Sequence, residues 1–283
     1  MLEQDTCSAL SIAAGEPLLG SAPQVGAWLM IESPGAWSAK PLNDLDAMLA
    51  RWLDDALAAL TSRYGSARPQ LIRRRESTSG GTITVMLGLE DELLRAEFDN
   101  LAALVAAPLD ERAFRREERP QYFMCTNGRR DGCCSKFGLP ALRVLRDTVG
   151  DRAWQTTHTG GHRFAPNVLV LPGAAMYGRV LEADAAQFAA EIEQGRTPVA
   201  YLRGHTSLPP VAQVARTQLD RAGPLIHHDA TSATFATEAG EHRVEVLRSK
   251  EPVTVLASCG DEQLKTVYPL VLPGEPGADG APR

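Results

Sequence analysis

Apolar residues recur every three or four positions across residues 44–64, which is the spacing of an amphipathic helix. Shorter apolar runs at residues 26–32, 70–74 and 82–87 are typical of strands. Residues 93–106 read as a second helix, which ends before Pro108. The first part of the chain therefore predicts the order β-α-β-β-α.

The next part of the chain repeats a similar order. Strands are predicted at residues 121–125, 153–157, 168–171 and 176–179, and helices at 139–149 and 182–194. Loops occupy 125–134 and 158–167. The resulting order resembles a thioredoxin-like core, which is an α/β sandwich. Because the order of elements repeats while the residues do not, the two units look like a degenerate internal duplication.

These patterns divide the chain into four parts. An N-terminal thioredoxin-like unit is predicted at residues 1–115 and a second one at 116–205. A short helix at 211–222 and alternating runs at 233–237, 243–248, 253–258 and 264–270 predict a small β meander within 206–272. The remainder, 273–283, is rich in Pro and Gly, and we expect it to be disordered.

Composition excludes several classes of function. A formal net charge of −6 argues against nonspecific binding to nucleic acid, which needs a basic face. No apolar run approaches the roughly 20 residues that cross a bilayer, and we expect no signal peptide, because acidic residues precede the first apolar stretch. Five cysteines, three of them crowded together, make a poor disulfide framework. A cytoplasmic protein without a membrane partner is expected.

The candidate chemistry lies in two loops. Cys125 ends one predicted strand, with Cys133 and Cys134 at the mouth of the following helix, while His158 and His162 follow the next strand. Neighbouring parallel strands release their loops at the same edge of a sheet, so thiolates from one loop and imidazoles from the other can converge. Two cysteines and two histidines suit either zinc or a 2Fe–2S cluster with histidines on one iron.

Other interpretations of the same residues stay open at this point. Buried cysteines often act as small apolar residues, and histidines often lie at the surface. The spacing is unlike that of a zinc finger, although a structural or regulatory zinc site in an interaction protein remains an alternative. A thiol–disulfide enzyme using Cys133 and Cys134 is less favoured, since no C-x-x-C is present. Cys7 and Cys259 have no cysteine near them in sequence, and Cys259, which precedes a turn, is interpreted as structural.

The two motifs carry a family resemblance. The stretch C-T-N-G-x-R-D-x-C-C covers residues 125–134, and H-T-G-G-H-R-F-A-P-N covers 158–167. They are similar to thioredoxin-like 2Fe–2S ferredoxins and resemble more closely the sucrase/ferredoxin-like family, in which two histidines replace the second pair of cysteines. The resemblance extends weakly to LMIESPGAW in the first unit and to ASCGDEQ near the end.

The resemblance implies a ligand set. Cys125 and Cys134 would supply the thiolates, with Cys133 as the alternative to Cys134, and His158 and His162 would bind the second iron. With Cys134 as the ligand, Cys133 would be a buried neighbour beneath the loop.

A cluster of this kind implies electron transfer with an unidentified redox protein as donor or acceptor, more than stand-alone catalysis. Two neutral imidazoles bring the oxidised site from about −2 to roughly zero charge, so we expect a potential nearer the Rieske range of about −150 to +300 mV. Ring nitrogens that titrate with redox state would make that potential depend on pH. The paired carboxylates of a glycosidase are not recognisable, so sucrase activity is not expected.

Overall fold

A computed structural model of the chain describes residues 6–74, 77, 81–219 and 221–278. Its helices are α1 (Cys7–Ala13), α2 (Ala47–Tyr64), α3 (Leu101–Ala106), α4 (Gly132–Val149), α5 (Ala185–Glu193) and α6 (Pro210–Arg216). The strands of the first part are β1 (Ala27–Glu32), β2 (Ala67–Arg73), β3 (Ile83–Gly88), β4 (Leu93–Phe98) and β5 (Arg115–Arg116). The second part contributes β6 (Gln121–Cys125), β7 (Ala153–Thr156), β8 (Val168–Leu171), β9 (Ala175–Tyr177) and β10 (Leu202–His205). The C-terminal part contains β11 (Leu225–His228), β12 (Ser232–Thr237), β13 (Gly240–Glu245), β14 (Leu247–Arg248), β15 (Val253–Leu256), β16 (Leu264–Val267) and β17 (Leu270–Val271).

One mixed sheet of ten strands, in the order β10-β9-β8-β6-β7-β2-β1-β3-β4-β5, runs through both predicted units. In each unit the first two strands are parallel and the next two are antiparallel additions, which gives the order second, first, third, fourth. The units meet through their second strands, because β2 pairs antiparallel with β7 and places Ile72 opposite Thr156. The predicted α/β fold is confirmed, and the repeated strand order agrees with a duplication.

Helix α2 shows how the pattern of the first unit produces its fold. The Asp46 side chain accepts a hydrogen bond from the Met48 amide and caps the N-terminus, and Gly65, at a φ of 76°, ends the helix. Its apolar stripe is buried against the sheet at Leu49, Trp52, Leu53, Ala56 and Leu60. The corresponding core of the second unit packs α4 and α5 against β6, β8 and β9, with the fully buried Phe188 at its centre.

The sequence pattern predicted one helix over residues 93–106, but the structure does not form one there. Residues 93–98 form β4, which pairs in full register with β3, and only Leu101–Ala106 is helical. Asn100 separates the two, because its side chain accepts a hydrogen bond from the Ala103 amide and starts α3. The paired edge of β3 therefore overrides the helical spacing of these apolar residues.

The C-terminal strands do not form a single meander. β11, β12 and β13 make one three-stranded sheet, while β15 pairs with β16 and β14 pairs with β17. In the described part of the tail that was predicted to be disordered, Ala278 is buried and the Lys250 amide donates to the Gly277 carbonyl. Residues 279–283 of that predicted tail lie outside the described residues.

Two further expectations concern organisation. The ten-stranded sheet continues across the predicted boundary between residues 115 and 116. The division of the chain into four parts therefore stays a prediction. Among the described residues, no helix combines the length and apolar character that spanning a bilayer requires.

The start of β1 passes close under the end of α2, and this crossing gives a stability prediction. A Cβ atom at Gly26 would overlap the Tyr64 carbonyl oxygen, which is backbone and cannot rotate away. We expect Gly26→Ala to lower the free energy of unfolding by about 1–3 kcal/mol. Gly35→Ala is the control, because a Cβ there meets nothing within 4 Å and the change should stay within about 0.5 kcal/mol. Equal denaturation midpoints for both variants would contradict the described crossing.

Candidate metal centre

Three elements bring the predicted donors to one edge of the sheet. Cys125 is the last residue of β6, Cys134 lies in the first turn of α4, and His158 follows the end of β7. Because β6 and β7 are parallel neighbours, their carboxyl ends release both loops on the same side. The Sγ atoms of Cys125 and Cys134 and a ring nitrogen of His158 all lie within 4.8 Å of one another.

His162 joins this group from the other end of its loop. Its ring stacks on that of His158 with 3.8 Å between centroids, and its Nδ1 lies 3.7 Å from Cys134 Sγ. The chain turns back between the two histidines at Gly160 and Gly161, whose φ angles of 106° and 74° favour glycine. The structure thus brings together all four residues proposed from the sequence.

A buried arginine holds the histidine loop in place. Arg203 of β10 donates from Nη1 to the Gly160 carbonyl at 2.9 Å and to Asn167 Oδ1 at 2.8 Å. Asn167 in turn donates to the Gly161 carbonyl at 2.9 Å, and a Cβ at Gly161 would lie only 2.6 Å from Arg203 Nη2. Burial lowers the pKa of Arg203 to about 9, so the guanidinium stays charged at neutral pH.

A second cation supports the same loop. Arg68 of β2 donates from Nη2 to the His158 carbonyl at 2.9 Å. Neither Arg68 nor Arg203 was identified from the sequence, since each lies in a strand outside the motif loops. No spacing signal links them to the histidines, and only the sheet order places them there.

The shifted pKa values of Cys125 and His162 suit metal binding. Hydrogen bonding from Cys134 is the main cause that holds the pKa of Cys125 well below its usual range, and His158 adds to the effect. The same hydrogen bond, together with burial, raises the pKa of Cys134. Burial and then the charge of His158 lower the pKa of His162 to about 4, which leaves a neutral imidazole at pH 7. A thiolate and a neutral imidazole are the forms that bind metals.

Two buried polar side-chain atoms lie at this place. His158 Nδ1 and Thr159 Oγ1 are buried and make no hydrogen bond in the described part of the chain. Buried polar groups are rarely left unpaired in proteins, so an orphaned ring nitrogen beside two thiols indicates a position that a bound group would occupy.

Cys133 faces away from these donors and belongs to a second cluster. Its Sγ lies 3.5 Å from Cys7 Sγ and 3.1 Å from Cys259 Sγ, and the last two sulfurs are 3.4 Å apart. The carboxylate of Asp131 lies in the same cluster, and its four potential ligand atoms are within 4.8 Å of one another. The adjacent cysteines 133 and 134 therefore contribute to different groups. No spacing in the sequence indicated that Cys7 and Cys259 would meet Cys133.

Asp131 fixes the turn that separates the two clusters. Its Oδ1 accepts from the Cys133 amide at 2.9 Å as the N-cap of α4, and Oδ2 accepts from the Cys259 amide at 2.9 Å. Although burial opposes ionisation, these and further hydrogen bonds leave its pKa below the usual value. His162 Nδ1 lies 3.8 Å from Oδ2, so the carboxylate lies between the two groups of ligands.

A comparison with known families matches the region that contains the first cluster, which is the group formed by Cys125, Cys134, His158 and His162. A family model described as Sucrase/ferredoxin-like matches residues 18–204, well over half of the 283-residue chain. The matched range contains the four donors of the first cluster and excludes the ASCGDEQ stretch as well as Cys7. Searches among curated proteins and among solved structures gave no match for this chain.

The depressed pKa of His162 predicts how the metal-free protein responds to acid. The unfolded chain binds the proton near pH 6.5 and the folded protein only near pH 4, so that stability falls as pH drops through that window. Solvent screening at this partly exposed ring limits the loss to about 1–2 kcal/mol. His162→Gln should abolish this loss of unfolding free energy between pH 7 and 4, as measured by denaturant titration. His227→Gln, at an exposed site, should leave the loss unchanged. Parallel curves for wild type and His162→Gln would contradict this assignment.

Proposed function

The chain belongs to the sucrase/ferredoxin-like family, and from that premise we propose that it is an electron-transfer protein with a 2Fe–2S cluster. Cys125 and Cys134 would bind one iron, and His158 and His162 would bind the other. The cluster, when bound, supplies reversible one-electron transfer. The protein supplies the donors, their protonation states and the surface through which electrons pass.

One observation carries this proposal. Two buried thiols and two imidazoles, from β6, α4 and the loop after β7, meet in one place. The chemistry of this set fits the cluster, because thiolate and imidazole are both iron ligands in 2Fe–2S proteins. The unpaired, buried Nδ1 of His158 supports the fit independently of the family.

The charges around the site favour a raised potential. Arg68 and Arg203 lie close enough to Cys125 to interact with its charge, and both are largely buried. Fixed positive charge and neutral imidazole ligands both favour addition of an electron. We therefore place the potential above that of all-cysteine plant-type ferredoxins.

The histidine side is where electrons would enter and leave. The thiols of Cys125 and Cys134 are fully buried, whereas the His162 side chain retains 12% exposure. Exposed Arg129 and Arg130 lie on the preceding loop, and the charge of Arg130 reaches His162. A redox protein with an acidic docking face suits this surface.

A single zinc ion at the same residues is the second candidate. Its support is the compactness of three of these residues, since Cys125, Cys134 and His158 each offer a ligand atom within 4.8 Å of the others, as one tetrahedral ion requires. Zinc would give a colourless structural or regulatory site. Metal content and colour separate these two candidates directly.

A thiol–disulfide enzyme has less support. The side chains of Cys133 and Cys134 diverge, with Cys133 Sγ against Cys259 and Cys134 Sγ against His162. A disulfide between them would require both side chains to leave these contacts, because disulfide geometry tolerates little deviation.

The neighbouring cysteines provide a matched pair of variants. We expect anaerobically purified wild type to be red-brown, with about two irons and two sulfides per chain and an EPR signal after dithionite reduction. Cys134→Ser should lose most of the visible absorbance and iron, since it removes a ligand. Cys133→Ser, at an equally buried position one residue away, should keep both.

The outcome of that pair decides between the candidates. A colourless wild type whose zinc is lost in Cys134→Ser but kept in Cys133→Ser would support the second candidate, and a wild type without iron or zinc would contradict both. Loss of the cluster in Cys133→Ser but not in Cys134→Ser would show that the thiolate assignment is wrong.

The histidine ligands predict a potential that depends on pH. If reduction raises the proton affinity of an exposed imidazole, the potential falls as pH rises, by at most about 59 mV per pH unit for one proton and one electron. Voltammetry between pH 6 and 10 would measure this slope. His162→Cys should flatten it and lower the potential, because thiolate adds negative charge. A flat profile for wild type would count against titrating histidine ligands.

A further inference from the structure

The three cysteines outside the first cluster meet on the other side of the first turn of α4. We propose that Cys7, Cys133 and Cys259, together with Asp131, bind one zinc ion in a structural site separate from the proposed cluster. The site is assembled from the start of α1, the start of α4 and the loop between β15 and β16.

The sulfur positions fit a single ion. The three Sγ–Sγ distances of 3.1, 3.4 and 3.5 Å form a nearly regular triangle. Zn–S bonds of about 2.3 Å in a tetrahedron place sulfurs about 3.8 Å apart, so the three distances would lengthen by about 0.3–0.7 Å around an ion. Cys7 Sγ lies 3.9 Å from each oxygen of Asp131, which puts the carboxylate at the fourth corner.

Backbone amides donate to two of the three sulfurs in this cluster. The Cys7 amide donates to Cys259 Sγ at 3.5 Å, and the Ser8 amide donates to Cys133. The N-terminal end of the 18-residue helix α4 also faces the group, and a helix N-terminus favours negative charge. These donors offset part of the excess negative charge of three thiolates and a carboxylate around a divalent ion.

Simple apolar burial accounts less well for this arrangement. The Asp131 side chain is fully buried beside Cys7 and Cys133, whereas apolar cysteines favour apolar neighbours. Cys259 is exposed yet turns its sulfur toward the other two. Soft thiolate donors around one point favour zinc over the hard cations magnesium and calcium.

The position indicates what the ion does. Cys7 and Cys259 lie outside the matched residues 18–204, so the site adds both flanking segments to the family core. Ser8 Oγ donates to the Ala165 carbonyl, which fastens α1 beside the histidine loop. Zinc would thus tie both flanks to the turn that carries Cys134.

The test is metal analysis of intact, anaerobically purified protein expressed with added zinc. Wild type should carry about one zinc per chain, and Cys259→Ser and Cys133→Ser should lose it while keeping the iron content of wild type. Cys134→Ser should show the reverse and keep zinc. Cys133→Ser changes a buried residue, and the variant could fail to fold. Cys259→Ser changes an exposed residue and leaves the core intact, so it carries the test in that case. Co²⁺ exchanged into the zinc site should give thiolate charge-transfer and tetrahedral d–d bands that vanish in Cys259→Ser.

Several results would overturn the proposal. Zinc that persists in Cys259→Ser would be bound elsewhere, and loss of zinc in Cys134→Ser alone would assign it to the first cluster. Joint loss of zinc and iron in Cys259→Ser would mean one shared site. Zinc-free wild type with three titratable free thiols would identify ordinary cysteines that bind no metal. An intact mass lower than that of the reduced chain by two hydrogen atoms would identify a disulfide instead. Because the zinc count does not depend on iron, failure of the electron-transfer proposal leaves this test intact.

Discussion

The first turn of α4 is the constraint on which both groups of ligands depend. Successive helical residues point about 100° apart, so Cys133 and Cys134 must face different surroundings. Asp131 sets the start of the helix through its bond to the Cys133 amide. Cys134 then faces Cys125 and the histidines, while Cys133 faces Cys7 and Cys259. A shift of the helix start by one residue would break up both groups.

The sheet provides the rigid frame for this turn. Parallel pairing of β6 with β7 places the cysteine and histidine loops at one edge, and Arg203 from β10 holds the second loop through Gly160 and Asn167. Donors fixed by packing and hydrogen bonds lose little freedom when they bind a metal. Buried thiols on one side and a partly exposed imidazole on the other give the proposed cluster an insulated interior and an accessible edge.

Local patterns predicted much of this structure, and long-range pairing accounts for what they missed. The stripe of α2 and the strand at Gln121–Cys125 were readable because their burial follows a helical or strand period. The four donors could be predicted because Cys125 ends a strand, Cys134 lies at the mouth of a helix, and both histidines lie in the loop after the next strand. β4 was mistaken for helix because its pairing with β3 decides its state. Arg203 and the meeting of Cys7 with Cys259 depend on contacts between distant segments, which no spacing reveals.

We propose that the two irons of the cluster have different ligands, and Mössbauer spectroscopy of protein enriched in ⁵⁷Fe can distinguish them. We expect two inequivalent ferric sites in the oxidised protein and, after one-electron reduction, a ferrous signal localised on the histidine-bound iron. Two equivalent iron sites, or a reduced electron shared evenly between them, would contradict ligation by Cys125 and Cys134 on one iron and by His158 and His162 on the other.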